Sequence, residues 1–113
     1  MTDIRHILQT FHRASGLELR STWQSTQAYK RHSHPQLSIG AIVEGGTRCV
    51  CNGQEYLLSP GDLIVIPANA PHSCNPIQGK PRSYHMLYID TPQPLAQQVI
   101  RNDALFRLYL NVV

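Results

Sequence analysis

No run of apolar residues in this 113-residue chain approaches the roughly 20 that a membrane-spanning helix needs, so a helical anchor is not expected. Residues 1–14 are broken by Arg5, His6, His12 and Arg13, which argues against a cleaved export signal. Charge is also scarce: charged residues make up 15%, and the net charge of +3 is dispersed from Arg5 to Arg107 with Lys30–Arg31 as the only adjacent basic pair. Such a distribution does not build a nucleic-acid patch. There is no Ser-His-Asp order, no glycine-rich phosphate loop and no paired-carboxylate motif, and the chemistries those arrangements serve are set aside. Cysteine is limited to Cys49, Cys51 and Cys74, an odd number. Cys49 and Cys51 lie too close on one extended strand to bridge each other readily, so buried apolar packing and a reducing cytoplasm are expected. The length suits one domain and is too short for a catalytic domain plus a separate DNA-binding domain.

What is present is turn chemistry and alternation. Ile4, Ile7, Leu8 and Phe11 fall at helical spacing, with Asp3 placed to cap and Gly16 placed to stop, which predicts a short amphipathic helix over residues 4–14 with His6 and His12 on its solvent face. From Leu17 the period becomes two. Leu17, Leu19 and Trp23 alternate with polar residues, as do Leu37, Ile39, Ala41 and Val43. Gly45-Gly46, Asn52-Gly53, Ser59-Pro60-Gly61-Asp62, Ala68-Asn69-Ala70-Pro71 and Gly79-Lys80-Pro81 punctuate the stretch at short intervals. Asn52-Gly53 marks a hairpin, because both central positions of a type I′ turn require positive φ. Leu63 to Ile66 reads as a wholly apolar strand and Ser83 to Asp90 as an alternating one. The expected fold is therefore all-β, an antiparallel sandwich or barrel over residues 17–90. Leu95, Val99, Ile100, Leu105, Leu108, Tyr109 and Val112 return to helical spacing, predicting a helix over 95–113 that nothing in its last turn terminates.

Four of the six histidines fall in the β region. His32 and His34 stand two apart, so on extended chain they share a face, and parity puts Gln36 and Ser38 on that face too. A barrel that brings His72 across would complete the three-imidazole set used by first-row metal sites with open positions. Alternatively the three rings line a polar pocket for a small ligand. His85 and Tyr84 alternate on the late strand, and which of them faces inward depends on register. Trp23 reads as a core or rim aromatic rather than a ligand platform.

The spacing around these histidines resembles the cupin superfamily. The first cupin motif runs glycine, five residues, His-x-His, three or four residues, glutamate, six residues, glycine; His32, His34 and Gly45 match, while Thr26 and Ser38 stand at the first glycine and the glutamate. In the second motif Gly61, Pro67 and His72 match, Asn69 replaces a glycine, and Asn75 falls one residue early of an asparagine. The resemblance implies a cupin-like double-stranded β-helix, or jelly-roll barrel, with a short helix at each end. Ser38 removes the anion that offsets a divalent ion in metal-dependent members, and Gln36, the nearest alternative, is neutral.

Within that superfamily, Arg31-His32-Ser33-His34, Ile39 to Gly45, Gly53 to Asp62, Ile66-Pro67 to Pro71-His72, and Met86-Leu87-Tyr88 are similar to the N-terminal sensing domain of AraC-type transcriptional regulators. The resemblance implies a non-catalytic domain that binds a small effector through His32, His34, Gln36 and His72. It further implies that the helix from Leu95 begins a homodimer contact, and that DNA is bound only through two helix-turn-helix units lying outside these 113 residues. A divalent transition metal, zinc, nickel, iron or manganese, is a conditional occupant of His32, His34 and His72. Two other classes fit the same residues: a stand-alone cupin dioxygenase or isomerase using that metal, and a metal-free carbohydrate- or metabolite-binding module.

Overall fold

The computed structural model describes residues 9–14, 16–90 and 95–112. Among the described residues nine strands, one 3-10 turn and one helix follow in order: β1 (Gln9–Ala14), β2 (Leu17–Ser25), β3 (Leu37–Glu44), β4 (Thr47–Cys51), β5 (Gln54–Leu58), β6 (Asp62–Ile66), β7 (His72–Pro76), a 3-10 turn (Ile77–Gly79), β8 (Arg82–Ile89), β9 (Gln98–Arg101) and α1 (Asp103–Val112). Every strand pairing is antiparallel, in a six-stranded sheet ordered β1-β2-β8-β3-β6-β9 and a three-stranded sheet ordered β5-β4-β7. The chain crosses between the two sheets from β3 to β4, β5 to β6, β6 to β7 and β7 to β8, which wraps it into a cupin-like jelly roll.

Between the sheets Ile42, Leu58, Ile64, Ile66 and Ala70 pack with Cys49 and Cys51. Withdrawing each large aliphatic side chain from water contributes about 1.5–3 kcal/mol, and this cluster is the barrel's main apolar anchor. β6 is central in its sheet, with β3 on one edge and β9 on the other, and is buried along its whole length, which agrees with the apolar run Leu63–Ile66 after Asp62. The Asn52-Gly53 hairpin forms as expected, with φ of 49° and 77° joining β4 to β5.

Three expectations are corrected. Residues 9–14 are a strand rather than the end of a helix over 4–14, and residues 4–8 lie outside the described set. Gly16, read as a helix stop, instead carries φ 73° between β1 and β2, where their ladder brings Ala14 opposite Leu17. Pairing along the free edge of β2 outweighs the helical spacing of a few apolar residues.

The expected helix over 95–113 is likewise divided. The β-branched pair Val99–Ile100 lies in β9 against β6, and the helix begins only at Asp103. Asn102 caps it, its side-chain oxygen accepting the Leu105 N–H at 3.0 Å. Tyr109 ties the helix to the barrel by donating its hydroxyl to the Ile39 carbonyl at 2.8 Å. Leu105 and Leu108 remain 39% and 58% exposed.

Finally, Cys49 and Cys74 face each other across β4 and β7 and are joined as a disulfide, leaving buried Cys51 as the free cysteine. Separate apolar packing therefore describes Cys51 alone. The inference of a reducing compartment loses the support of three unpaired thiols.

Candidate functional site

A cavity of about 380 Å³ opens between the two sheets. Alternation on β8 turns Tyr84, Met86 and Tyr88 toward it, and Arg20 and Thr22 of β2 do the same, while His85 faces the other way. This settles the inward face of the late strand. His85 bonds the Ser21 hydroxyl at 2.6 Å and meets the ring of Trp23 edge-on at 5.2 Å, so both aromatic groups stand outside the cavity.

His32 and His72 both line the cavity, side by side. They are locked by a two-way backbone bridge, His32 N–H to the His72 carbonyl at 3.0 Å and His72 N–H to the His32 carbonyl at 2.8 Å. His34 is held by its own carbonyl, which accepts the Asn69 N–H at 2.8 Å. Asn69 has φ 63°, the conformation that glycine usually supplies at this motif position. Asn75, offset from the motif, fixes the same loop by accepting the Tyr29 N–H on its side-chain oxygen at 2.7 Å. The three rings gather around one point, tilted or edge-on to one another: His32 and His72 at 4.5 Å, His34 and His72 at 4.8 Å, His32 and His34 at 6.0 Å between centroids. One ring nitrogen from each lies within 4.8 Å of the others.

Each imidazole is also set in the same tautomer. Nδ1 of His32 contacts the Lys30 carbonyl at 2.8 Å, Nδ1 of His34 the Gln36 carbonyl at 3.0 Å, and Nδ1 of His72 the Ala70 carbonyl at 2.8 Å. A carbonyl can only accept, so Nδ1 carries the proton and Nε2 keeps its lone pair for a ligand. Burial lowers the pKa of His34 and His72 below the ordinary imidazole value, which favours the neutral, ligating form at pH 7. These donors fit a first-row divalent ion, and the carbonyls play the orienting part that outer partners play in metal sites.

Gln36 enters through that backbone carbonyl, and neither Gln36 nor His34 is among the cavity-lining residues, His34 standing beside His32 and His72 at the cavity's margin. Ser38, at the position of the motif's glutamate, is fully buried and its hydroxyl has no hydrogen-bond partner. Parity with Gly40 and Ile42 turns it inward, where it supplies no charge.

Arg82 carried no signal in the sequence. It is 2% exposed, lies in the cavity wall, and donates from one terminal nitrogen to the Thr47 hydroxyl at 3.1 Å and from the other to the Cys74 carbonyl at 2.7 Å. Its guanidinium stands over the Tyr84 ring at 4.8 Å. An arginine next to Pro81 at a strand start reads as a surface charge; only the fold reveals its burial.

Fold and site together define a cupin-like barrel with a cavity between its two sheets. Solved structures agree on the fold. A Ralstonia eutropha protein provisionally assigned as a mannose-6-phosphate isomerase aligns with a TM-score of 0.64 at 22% identity, over 74% of this chain and 85% of its own. Oxalate decarboxylase of Bacillus subtilis aligns with a TM-score of 0.57 at 18% identity, over 66% of this chain and 21% of its own.

Residues 15–102 match the profile of the AraC-like ligand binding domain, and the chain belongs to that family. A curated relative is the uncharacterised helix-turn-helix-type transcriptional regulator YbfI of Bacillus subtilis, 33% identical over 63 residues. The match spans 56% of this chain and about a quarter of that regulator, 23%.

Proposed function

We propose that residues 1–113 are one effector-binding domain of a cytoplasmic AraC-type transcriptional regulator, with no catalysis of its own. A small molecule enters the cavity, and DNA is bound by a helix-turn-helix part outside this sequence. The observation that carries the reading is the 380 Å³ cavity, within the volume range of small-molecule sites, inside the segment that matches the ligand-binding family. His32, His34 and His72 serve as ligand contacts, directly or through a divalent transition metal that would supply Lewis acidity and a coordination position. Gln36 supports His34 through its carbonyl. The exposed Leu105 and Leu108 of α1 form part of a homodimer contact, which Leu105→Asp with Leu108→Asp should weaken in sedimentation at several concentrations.

The test is a metabolite screen by thermal shift, repeated on Met86→Trp, whose larger ring fills the cavity. Compounds that stabilise the parent should fail to stabilise the variant and should be recovered chemically unchanged. A second reading, a metal-dependent cupin enzyme, draws on the neutral three-imidazole cluster. Turnover of a stabilising compound by zinc-, nickel-, iron- or manganese-loaded protein would replace the first reading with the second.

A further inference from the structure

The cavity wall has a one-sided charge inventory. Arg82 and Arg20 both reach it together with His32 and His72, and among the described residues no Asp or Glu side chain lines it. Arg20 has a partner in Glu18 at 3.5 Å and stands half in solvent. Arg82 does not: it is almost fully buried, its hydrogen bonds go to a hydroxyl and a carbonyl, and among the described residues no carboxylate pairs with it. Arginine cannot shed its proton at accessible pH, so the charge stays even where burial disfavours it. A buried cation without an anion is costly, and proteins retain such a group mainly where a ligand completes the pair.

We propose that the occupant of this cavity is a small organic carboxylate, its anionic end paired with Arg82 and its body lying between the Tyr84 and Tyr88 rings and Met86. The proposal rests on the effector-binding reading and names the chemical class of that effector. Its components each have a reason. The planar guanidinium matches a carboxylate, and its position is already fixed by Thr47 and the Cys74 carbonyl. One unpaired cation balances one negative charge; a dianionic phosphate would need a second, and Arg20 is already ion-paired to Glu18. Ile42, Leu58, Ile64 and Met86 give the wall an apolar stretch that suits a hydrocarbon or aromatic body, beside polar Thr22 and Gln27. Arg82 holds the carbonyl of Cys74, two residues along β7 from His72, a separation of about 7 Å in extended chain. The far end of a ligand of six or seven heavy atoms would therefore come to the histidines.

The test uses matched pairs differing only in charge, phenylacetate with phenylacetamide and hexanoate with hexanamide, plus inorganic phosphate, in EDTA-treated protein so that no ion on the histidines supplies the attraction. Calorimetry should show each acid binding at least tenfold more tightly than its amide, with that preference lost in Arg82→Gln and partly kept in Arg82→Lys. Should Arg82→Gln fail to fold, the Nε–H resonance of Arg82 in arginine-labelled parent protein replaces it, shifting with the acids and not with the amides. Equal binding of acid and amide, or an unmoved Arg82 resonance on acid binding, overturns the anion assignment and leaves effector binding standing. Phosphate binding more tightly than either acid overturns the carboxylate in favour of another oxyanion. No binding by any member up to about 10 mM overturns the carboxylate, while the effector-binding reading stands or falls with the metabolite screen.

Discussion

Replacing Gly45 with alanine isolates one steric contact behind the cavity wall. Gly45 has φ 74°, and a Cβ built there would sit 2.5 Å from the Pro81 carbonyl oxygen and 3.0 Å from the Arg82 Cα. Both neighbours are backbone, so nothing flexible can turn aside. The left-handed conformation alone costs an L-residue about 1 kcal/mol. Gly53 provides the internal control, since it has φ 77° but nothing within 4 Å of its would-be Cβ. Gly53→Ala should therefore lose about 1 kcal/mol, and Gly45→Ala about 2–4 kcal/mol, as overpacking against backbone typically adds 1–3 kcal/mol. Urea titration at constant m reads the difference directly as a shift in midpoint. Because the displaced segment carries Arg82, Gly45→Ala should also weaken carboxylate binding, whereas Gly53→Ala should not. Equal midpoints for the two variants would refute the reasoning, showing that the strand after Pro81 yields without cost.

Three further outcomes follow from the site and core. In chelator-treated protein, burial holds His34, His72 and His85 below the ordinary imidazole pKa, so above about pH 6.5 they are neutral in both folded and unfolded states and contribute no pH dependence. Below it the unfolded chain takes up protons first, so the urea midpoint should fall from pH 7 to pH 5.5, less steeply in His85→Gln; a flat profile contradicts the burial argument. Zinc or nickel affinity measured calorimetrically should drop at least tenfold in each of His32→Ala, His34→Ala and His72→Ala, and a preference for calcium or magnesium would contradict an imidazole site. Closing the loop between Cys49 and Cys74, 25 residues apart, should stabilise by about 3.5 kcal/mol on the chain-entropy account, lost on adding reductant. Thiol titration of unreduced, denatured protein yielding three thiols rather than one would show that the pair is open.

Local rules were legible where a residue's chemistry dictates its backbone. Asn52-Gly53 announces its turn, Asn69 substitutes for glycine at φ 63°, and the two-residue spacing of His32 and His34 places both rings beside His72. What stayed hidden depends on partners distant in the chain. Phe11 at helical spacing is equally compatible with an edge strand, and only β2 decides between them. Val99 and Ile100 were counted as a helix face although Asn102 followed by Asp103 is a helix-start signature, one that would have placed the boundary correctly. Cys74 finds Cys49 through the register of β4 with β7, and Arg82 owes its importance to burial, which composition does not report.

The position of β9 on the outer edge of β6 also determines where this unit can be divided. Asp62–Ile66 is a short ribbon, apolar from Leu63 onward, whose backbone groups on one side are satisfied by Gln98–Arg101, with Arg101 clasping Asp62 at 2.7 Å. A polypeptide ending before Gln98 would keep every cavity-lining residue yet leave that ribbon with a bare row of donors and acceptors. Flat apolar edges of this kind recruit further chains. Self-association and precipitation, rather than loss of ligand contacts, should be the first defect of such a shortened polypeptide, which makes β9 the barrel's guard against aggregation.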